Sequence, residues 1–362
     1  MSGPPPASPF AGVRMVFVGN LNAYSRSRAR LNAFRELGLE VTEVANVPVG
    51  DPRTGIERPG LARRIAGRLG IVLDWQRAGA NVLRAIACER PQIVWIEKGA
   101  MLAPNVLDRF RTASPRPVLA WFSEDDMFAR HNQTRRFRAG LDRYDVVFTT
   151  KSYNCAPEEL PALGARRVVF VHQAFDPAQH HPVELTADDR AAFGADIGFI
   201  GSYEHARARS MHALAEAGMR VRIWGNLWDR SPFSHPNLQV ERRPLVNLPP
   251  HDLAYSRGIA ATRINLCFLR KMNRDQHTSR TFEIPAVGGF MLGERTAEHL
   301  ALFKEGVEAE FFGSDEELVE KARHYLAHEA ERRRIAARGH ARCVANYGST
   351  AQAERMLSAA FA

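Results

Sequence analysis

The residues best suited to chemistry in this chain fall in four short segments. The richest runs from Asp275 to Leu292 (DQHTSRTFEIPAVGGFML). Its polar start leads into a predicted helix whose first turns hold Glu283. Thr278, Ser279 and nearby backbone N–H groups then stand at a helix N-terminus, where unpaired amides suit a diphosphate. Arg280 and Lys271 add positive charge beside it. A carboxylate one turn later can accept hydrogen bonds from both ribose hydroxyls, as acidic residues do in dinucleotide sites. Pro285 is expected near the first turn, where proline is tolerated. A capped surface helix is the plain alternative, and the clustering favours a ligand.

A second segment, Phe199 to Arg209 (FIGSYEHARAR), ends a strand at Gly201 and opens a helix carrying Arg207 and Arg209. Glycine lets a ligand approach the backbone, Ser202 lies in the loop, and an arginine at a helix start favours an anion. An ordinary strand–helix turn with two surface arginines fits equally well. Trp224–Trp228 (WGNLW) is a third strand end, where a base can stack or a plain loop can bury its tryptophans. The fourth is Glu124, Asp125 and Asp126 after the strand PVLAWFS, with His131 about one helical turn on. These carboxylates can serve as a general base, hold sugar hydroxyls or bind a metal, or they can cap a helix.

What positions these segments is an alternation of short apolar strands and helices. Val13–Gly19, Leu39–Ala45, Gln92–Glu97, Pro117–Phe122, Asp145–Thr150 and Arg166–His172 read as strands of a first unit. Asp196–Ile200, Arg220–Trp224, Ile264–Leu269 and Gly289–Leu292 read as strands of a second. Near-continuous apolar strands separated by helices predict parallel sheets covered on both faces. The expected organisation is a disordered, Pro-rich N-terminus (1–12), an α/β domain over 13–175 and a polar linker over 176–190. A second α/β domain follows over 191–346, and then a last helix over 347–362. A basic stretch from Ile56 to Arg84 predicts an amphipathic helix with one buried face, or one lying on an acidic membrane surface.

The 362 residues suffice for two cores. A formal charge of +9, with 49 Lys+Arg against 40 Asp+Glu, points towards phosphorylated or anionic partners. Cys88, Cys155, Cys267 and Cys343 have no metal-ligand spacing and suit a reducing compartment. The start lacks a secretory pattern and no apolar run is long enough to span a bilayer, so the cytoplasm is the expected location. No helix-turn-helix, zinc or RNA-recognition signature is present, so nucleic acid is not an expected partner. Gly19 is not followed by the glycine pattern of a dinucleotide-binding dehydrogenase.

Taken together, RTFEIPAVGGFML (280–292), AWFSEDDMFARHN (120–132), YDVVFTTKSYN (144–154) and IGFIGSYEHARARSMHAL (197–214) resemble the CgeB-like, or spore-maturation-protein-like, glycosyltransferases of the GT-B fold. The likeness runs over roughly Val13 to Tyr347. It implies two Rossmann-like parallel-sheet domains with a C-terminal helix crossing back to the first. It also implies sugar transfer from a nucleotide donor to a glycan, lipid, protein or small-molecule acceptor, in the cleft between the domains. The resemblance further implies that neither a metal nor another cofactor takes part, and a peripheral contact with an anionic membrane is compatible with the charge.

Carried onto matching positions, Glu283 holds the ribose and Thr278, Ser279 and Arg280 surround the diphosphate. Arg207 or Arg209 stands opposite. Asp275 occupies the place of a second acid eight residues earlier, where the retaining relatives carry glutamate. If the reaction inverts instead, Asp125 or Asp126 is the natural base. A GT-B nucleotide-sugar epimerase and a non-catalytic sugar-nucleotide binder are the competing readings.

Overall fold

The computed structural model describes residues 8–23, 25–50, 60–61, 72–242, 244–247 and 253–362. Within the basic stretch from Ile56 to Arg84, residues 56–59 and 62–71, which include Arg58, Arg63, Arg64 and Arg68, lie outside them. The chain divides into two compact units, Met1–His172 with Ser349–Ala362, and Gln173–Gly348.

The first unit is a six-stranded sheet in the order β2-β1-β3-β4-β5-β6. Its strands are β1 (Arg14–Gly19), β2 (Glu40–Ala45), β3 (Ile93–Glu97), β4 (Val118–Ser123), β5 (Val146–Thr149) and β6 (Val168–Phe170). Every pairing is parallel. Parallel strands bury both faces, and all five residues of β3 (IVWIE) are buried. Trp95 lies opposite Phe17 on one side and Ala120 on the other. On one face, helix α1 (Arg26–Glu36) packs against the last helix, α12 (Ser349–Phe361). That last helix puts Ala353, Met356, Leu357 and Ala360 into the core that holds Phe17, Phe34 and Trp95.

The second unit repeats the plan with the order β12-β11-β10-β7-β8-β9. Its strands are β7 (Ala195–Ile200), β8 (Val221–Trp224), β9 (Leu238–Glu241), β10 (Thr262–Cys267), β11 (Met291–Glu294) and β12 (Glu310–Phe312). These pairings are parallel too. After β9 the chain returns to the far side of β7, so the order reverses between β7 and β10. In open parallel sheets that reversal opens a crevice at the strands' carboxyl ends. Helix α6 (His205–Glu216) follows β7, and α8 (Arg280–Val287) joins β10 to β11.

The structure departs from expectation in several places. Ser8–Gly12 are packed rather than loose: the Ala11 N–H donates to Ser8, the Gly12 N–H to Gly38, and Phe10 stacks on Phe361. The supposed linker at 176–190 carries the start of a helix, α5 (Ala187–Phe193), closed by a capping box between Thr186 and Asp189. Gln173 to Gly348 is one unit, so no linker separates 175 from 191. Pro285 is the sixth of eight helical residues, not a first-turn residue. Strands β9 and β12 had no counterpart among the expected ones. Among the described residues no helix is long and apolar enough to cross a membrane.

Candidate functional site

Strand β7 gives way to Gly201 after Ile200, and the backbone there is crowded. A Cβ on Gly201 would lie 2.8 Å from Arg280 Nη2 and 2.6 Å from the Phe199 ring. Glycine is therefore what lets the Arg280 guanidinium lie across the strand end. On the next strand, a Cβ on Gly225 would sit 1.9 Å from the Gly201 carbonyl oxygen, so the two turns meet backbone to backbone. The Trp228 indole N–H donates to that same carbonyl at 2.9 Å.

Two arginines converge on this point. Arg207, in the first turn of α6, and Arg280, the first residue of α8, place their guanidinium carbons 5.7 and 5.6 Å from the centre of the Phe199 ring. Arg207 is 5% exposed, donates to the Ser202 carbonyl at 3.1 Å and meets Glu204 at 3.3 Å. Burial, with Arg280 adding to it, lowers the Arg207 guanidinium to about 10. Both arginines bury an Nε with no hydrogen-bond partner. Such groups are costly to leave unmet, and a bound anion would relieve the excess positive charge. A cleft of 640 Å³ opens on the Arg207 side, lined by Arg207, Arg209, Lys271, Glu204, Glu294 and Asp315 among others; Arg280 and Glu283 do not line it.

Glu283 is buried one turn into α8. The Tyr255 hydroxyl, from helix α7 (Ala254–Ala261), donates to its Oε2 at 2.5 Å. Burial, then the Glu283 charge, raises the Tyr255 phenol well above its ordinary value, so it remains a donor. The loop before α8 is strapped to helix α9 (Ala297–Leu302) and its cap. Thr296 donates to the Gln276 carbonyl at 2.6 Å, His277 Nδ1 meets Glu298 at 2.5 Å, and Thr281 Oγ1 meets His299 Nε2 at 2.8 Å. His299 Nδ1 faces the Glu294 carbonyl, which can only accept, so Nε2 accepts from Thr281. Tyr255, Thr281, His277 and His299 had no sequence signal of their own, because each acts through partners distant in the chain.

Other expected ligands are differently placed. The Thr278 amide donates to Thr281 Oγ1 at 3.0 Å, so that N–H is not offered to a phosphate. Ser279 is buried. Arg209 is exposed and pairs with Asp315 at 3.2 Å, and Lys271 pairs with Glu294. Asp275 accepts from the Arg270 N–H at 3.3 Å and from the Asn273 amide at 3.0 Å.

In the first unit the acids are neutralised locally. Asp126 is wholly buried, and its Oδ1 accepts from the Phe128 and Ala129 amides and from Asn154 Nδ2. Those three bonds hold the Asp126 carboxylate to its own turn and to Asn154. Asp125 pairs with exposed Lys98. Burial opposes ionisation of Glu124, but Arg26 and Arg30 outweigh it and leave its pKa lowered. Arg30 in turn holds buried Glu97 at 2.6 Å and lies 3.8 Å over the Phe122 ring. His131 is exposed on a single 3-10 turn. Among the described residues no group of three or more His, Cys, Asp or Glu is arranged to hold a metal ion.

Solved structures share the architecture of the two sheets. A glycosyltransferase from Rickettsia africae ESF-5 superposes with a TM-score of 0.63 at 9% identity, covering 96% of this chain and 98% of that one. An alpha-glucosyltransferase in complex with UDP-glucose and DNA containing an abasic site gives 0.68 at 12% identity, covering 97% and 100%. Anabaena HepE in complex with UDP gives 0.58 at 11%, covering 96% and 99%. The fold is GT-B. At these identities the likeness establishes the architecture alone. The model of the glycosyl transferase-like family matches residues 207–358 of this GT-B chain, which begin at Arg207 and include Arg280 and Glu283. No curated protein matches the sequence.

Proposed function

We propose that this GT-B protein is a CgeB-like glycosyltransferase that moves a sugar from a nucleoside diphosphate to an acceptor, with the donor held by the second unit. The observation that carries this is the convergence of Arg207 and Arg280 on Phe199, each with an unpartnered Nε, at the carboxyl end of β7. Two fixed guanidiniums suit the charge that gathers on a leaving diphosphate, and they take it up without a metal ion. Glu283 accepts the ribose hydroxyls. The glycosyl transferase-like match over 207–358 supports the same assignment.

In the transfer step the acceptor hydroxyl oxygen bonds to the anomeric carbon as the bond from that carbon to the β-phosphate oxygen breaks. The nucleoside diphosphate leaves with the electron pair, and the hydroxyl proton passes to a base. Asp125 is the acid of the first unit suited to that role, because Asp126 is committed to its own turn. Calorimetry with UDP, GDP, dTDP, CDP and ADP tests the donor half: one should bind, and Arg280→Ala should weaken it strongly. Silence across the panel would sink the proposal. Mass spectrometry of donor turned over without acceptor tests the other half, since a free epimerised sugar nucleotide would replace transfer by epimerisation.

A further inference from the structure

Tyr255 has a hydroxyl that its packing does not need. Its ring belongs to the buried cluster that also holds Ile259, Phe282 and Ile284, which a phenylalanine ring could join as well. The hydroxyl instead meets Glu283 Oε2 at 2.5 Å, with the two side chains only 9% and 7% exposed. A glutamate's terminal torsion is broad, and a short bond from a rigid phenol removes that freedom.

The phenol is itself held by a buried frame. Ser256 Oγ and Asn247 Nδ2 donate to the Gln179 carbonyl at 2.7 and 2.8 Å, and the Ser256 N–H donates to Asn247 Oδ1 at 3.2 Å. The His180 ring meets Tyr255 edge-on at 5.7 Å. Gln179 and Asn247 thus set the first turn of α7, that turn sets Tyr255, and Tyr255 sets the carboxylate.

We propose that Tyr255 is a positioning residue that locks the Glu283 carboxylate to face a ribose diol, and so makes the site select ribonucleotide over 2′-deoxyribonucleotide donors. This rests on the donor site proposed above. A carboxylate offers about four acceptor directions, and the Tyr255 bond to Oε2 fixes which way they point. A locked carboxylate distinguishes two hydroxyls from one, because a polar group built to meet a missing hydroxyl is left unmet. Uridine-, guanosine-, cytidine- or adenosine-type donors are favoured over thymidine-type donors.

The test is calorimetry on the full chain with matched pairs: UDP and 2′-deoxy-UDP, GDP and 2′-deoxy-GDP, CDP and 2′-deoxy-CDP, ADP and 2′-deoxy-ADP. For the base that binds, the wild type should prefer the ribonucleotide by about tenfold or more. Tyr255→Phe should bring that preference near unity by weakening the ribonucleotide alone, with the deoxynucleotide affinity kept. If Tyr255→Phe does not fold, Ser256→Ala loosens the frame with the hydroxyl kept, and should cut the preference about threefold. A folded variant that retains the wild-type preference overturns the lock and leaves the donor site standing. A wild type that binds both members of a pair equally also overturns the lock. A wild type that binds none of them overturns the donor site and the lock with it.

Discussion

The carboxyl ends of the two sheets are built alike and charged in opposite ways. In the first unit, acids at the ends of β3 and β4 have partners: Glu97 and Glu124 share Arg30, Asp125 has Lys98, and Asp126 has two amides and Asn154. In the second, at the end of β7, Arg207 and Arg280 keep a buried Nε each without a partner. A folded chain normally pairs its buried polar groups, so an exception marks either strain or an intended ligand. The richer cluster of charges is therefore largely structural, with Asp125 alone left as the candidate base, and the poorer is the candidate donor site.

The largest expected effect breaks the first half of this contrast. Asp126→Ala removes three accepted bonds from a wholly buried position and should cost about 3–5 kcal/mol of stability. Chemical denaturation would read it; a variant that folds normally and loses only turnover would make Asp126 catalytic after all. Arg280→Ala attacks the other half. It should weaken the preferred nucleoside diphosphate about 100-fold with little change in melting temperature, and unaltered affinity would take Arg280 out of the donor site.

The third test uses pH. Burial lowers His299 to about 4, whereas an unfolded histidine titrates near 6.5. The unfolded state therefore takes up the proton first as pH falls. Stability from this histidine is whole above about pH 6.5 and is lost towards pH 4, by about 1.4 kcal/mol per pH unit. His299→Gln should flatten that slope in denaturant titrations; equal slopes would mean the ring is protonated in the fold. The smallest effect belongs to Lys98→Ala. Lys98 is exposed, so its loss should move stability by no more than about 0.5 kcal/mol, and a larger change would show that the Asp125 pair is structural.

The parallel sheets were legible because fully buried strands write themselves as apolar runs such as IVWIE and VLAWF. Strand β9 was not, for its middle residues Gln239 and Val240 are exposed, and β12 is only three residues long. The helix cap at Thr186 was readable from Thr-Ala-Asp-Asp and was masked by the prolines before it. At the site, Arg207, Arg280 and Glu283 stood out by type and spacing. Which acid is free to react did not, because Arg26, Arg30 and Asn154 reach the trio from elements far away in the chain. Tyr255 was invisible for the same reason.

The last helix has a consequence for how the molecule comes into being. Thr350 bonds Glu36 at 2.5 Å across 314 positions of sequence, and Met356 and Leu357 finish a core begun at Met15. On the ribosome the first sheet must wait, one greasy groove uncovered, until the whole second unit has been made. Long-range closure of this kind is slow and leaves apolar surface exposed meanwhile. Ribosome-stalled chains ending at Gly348 should be cut by protease within the first unit, and chains extended past Phe361 should resist.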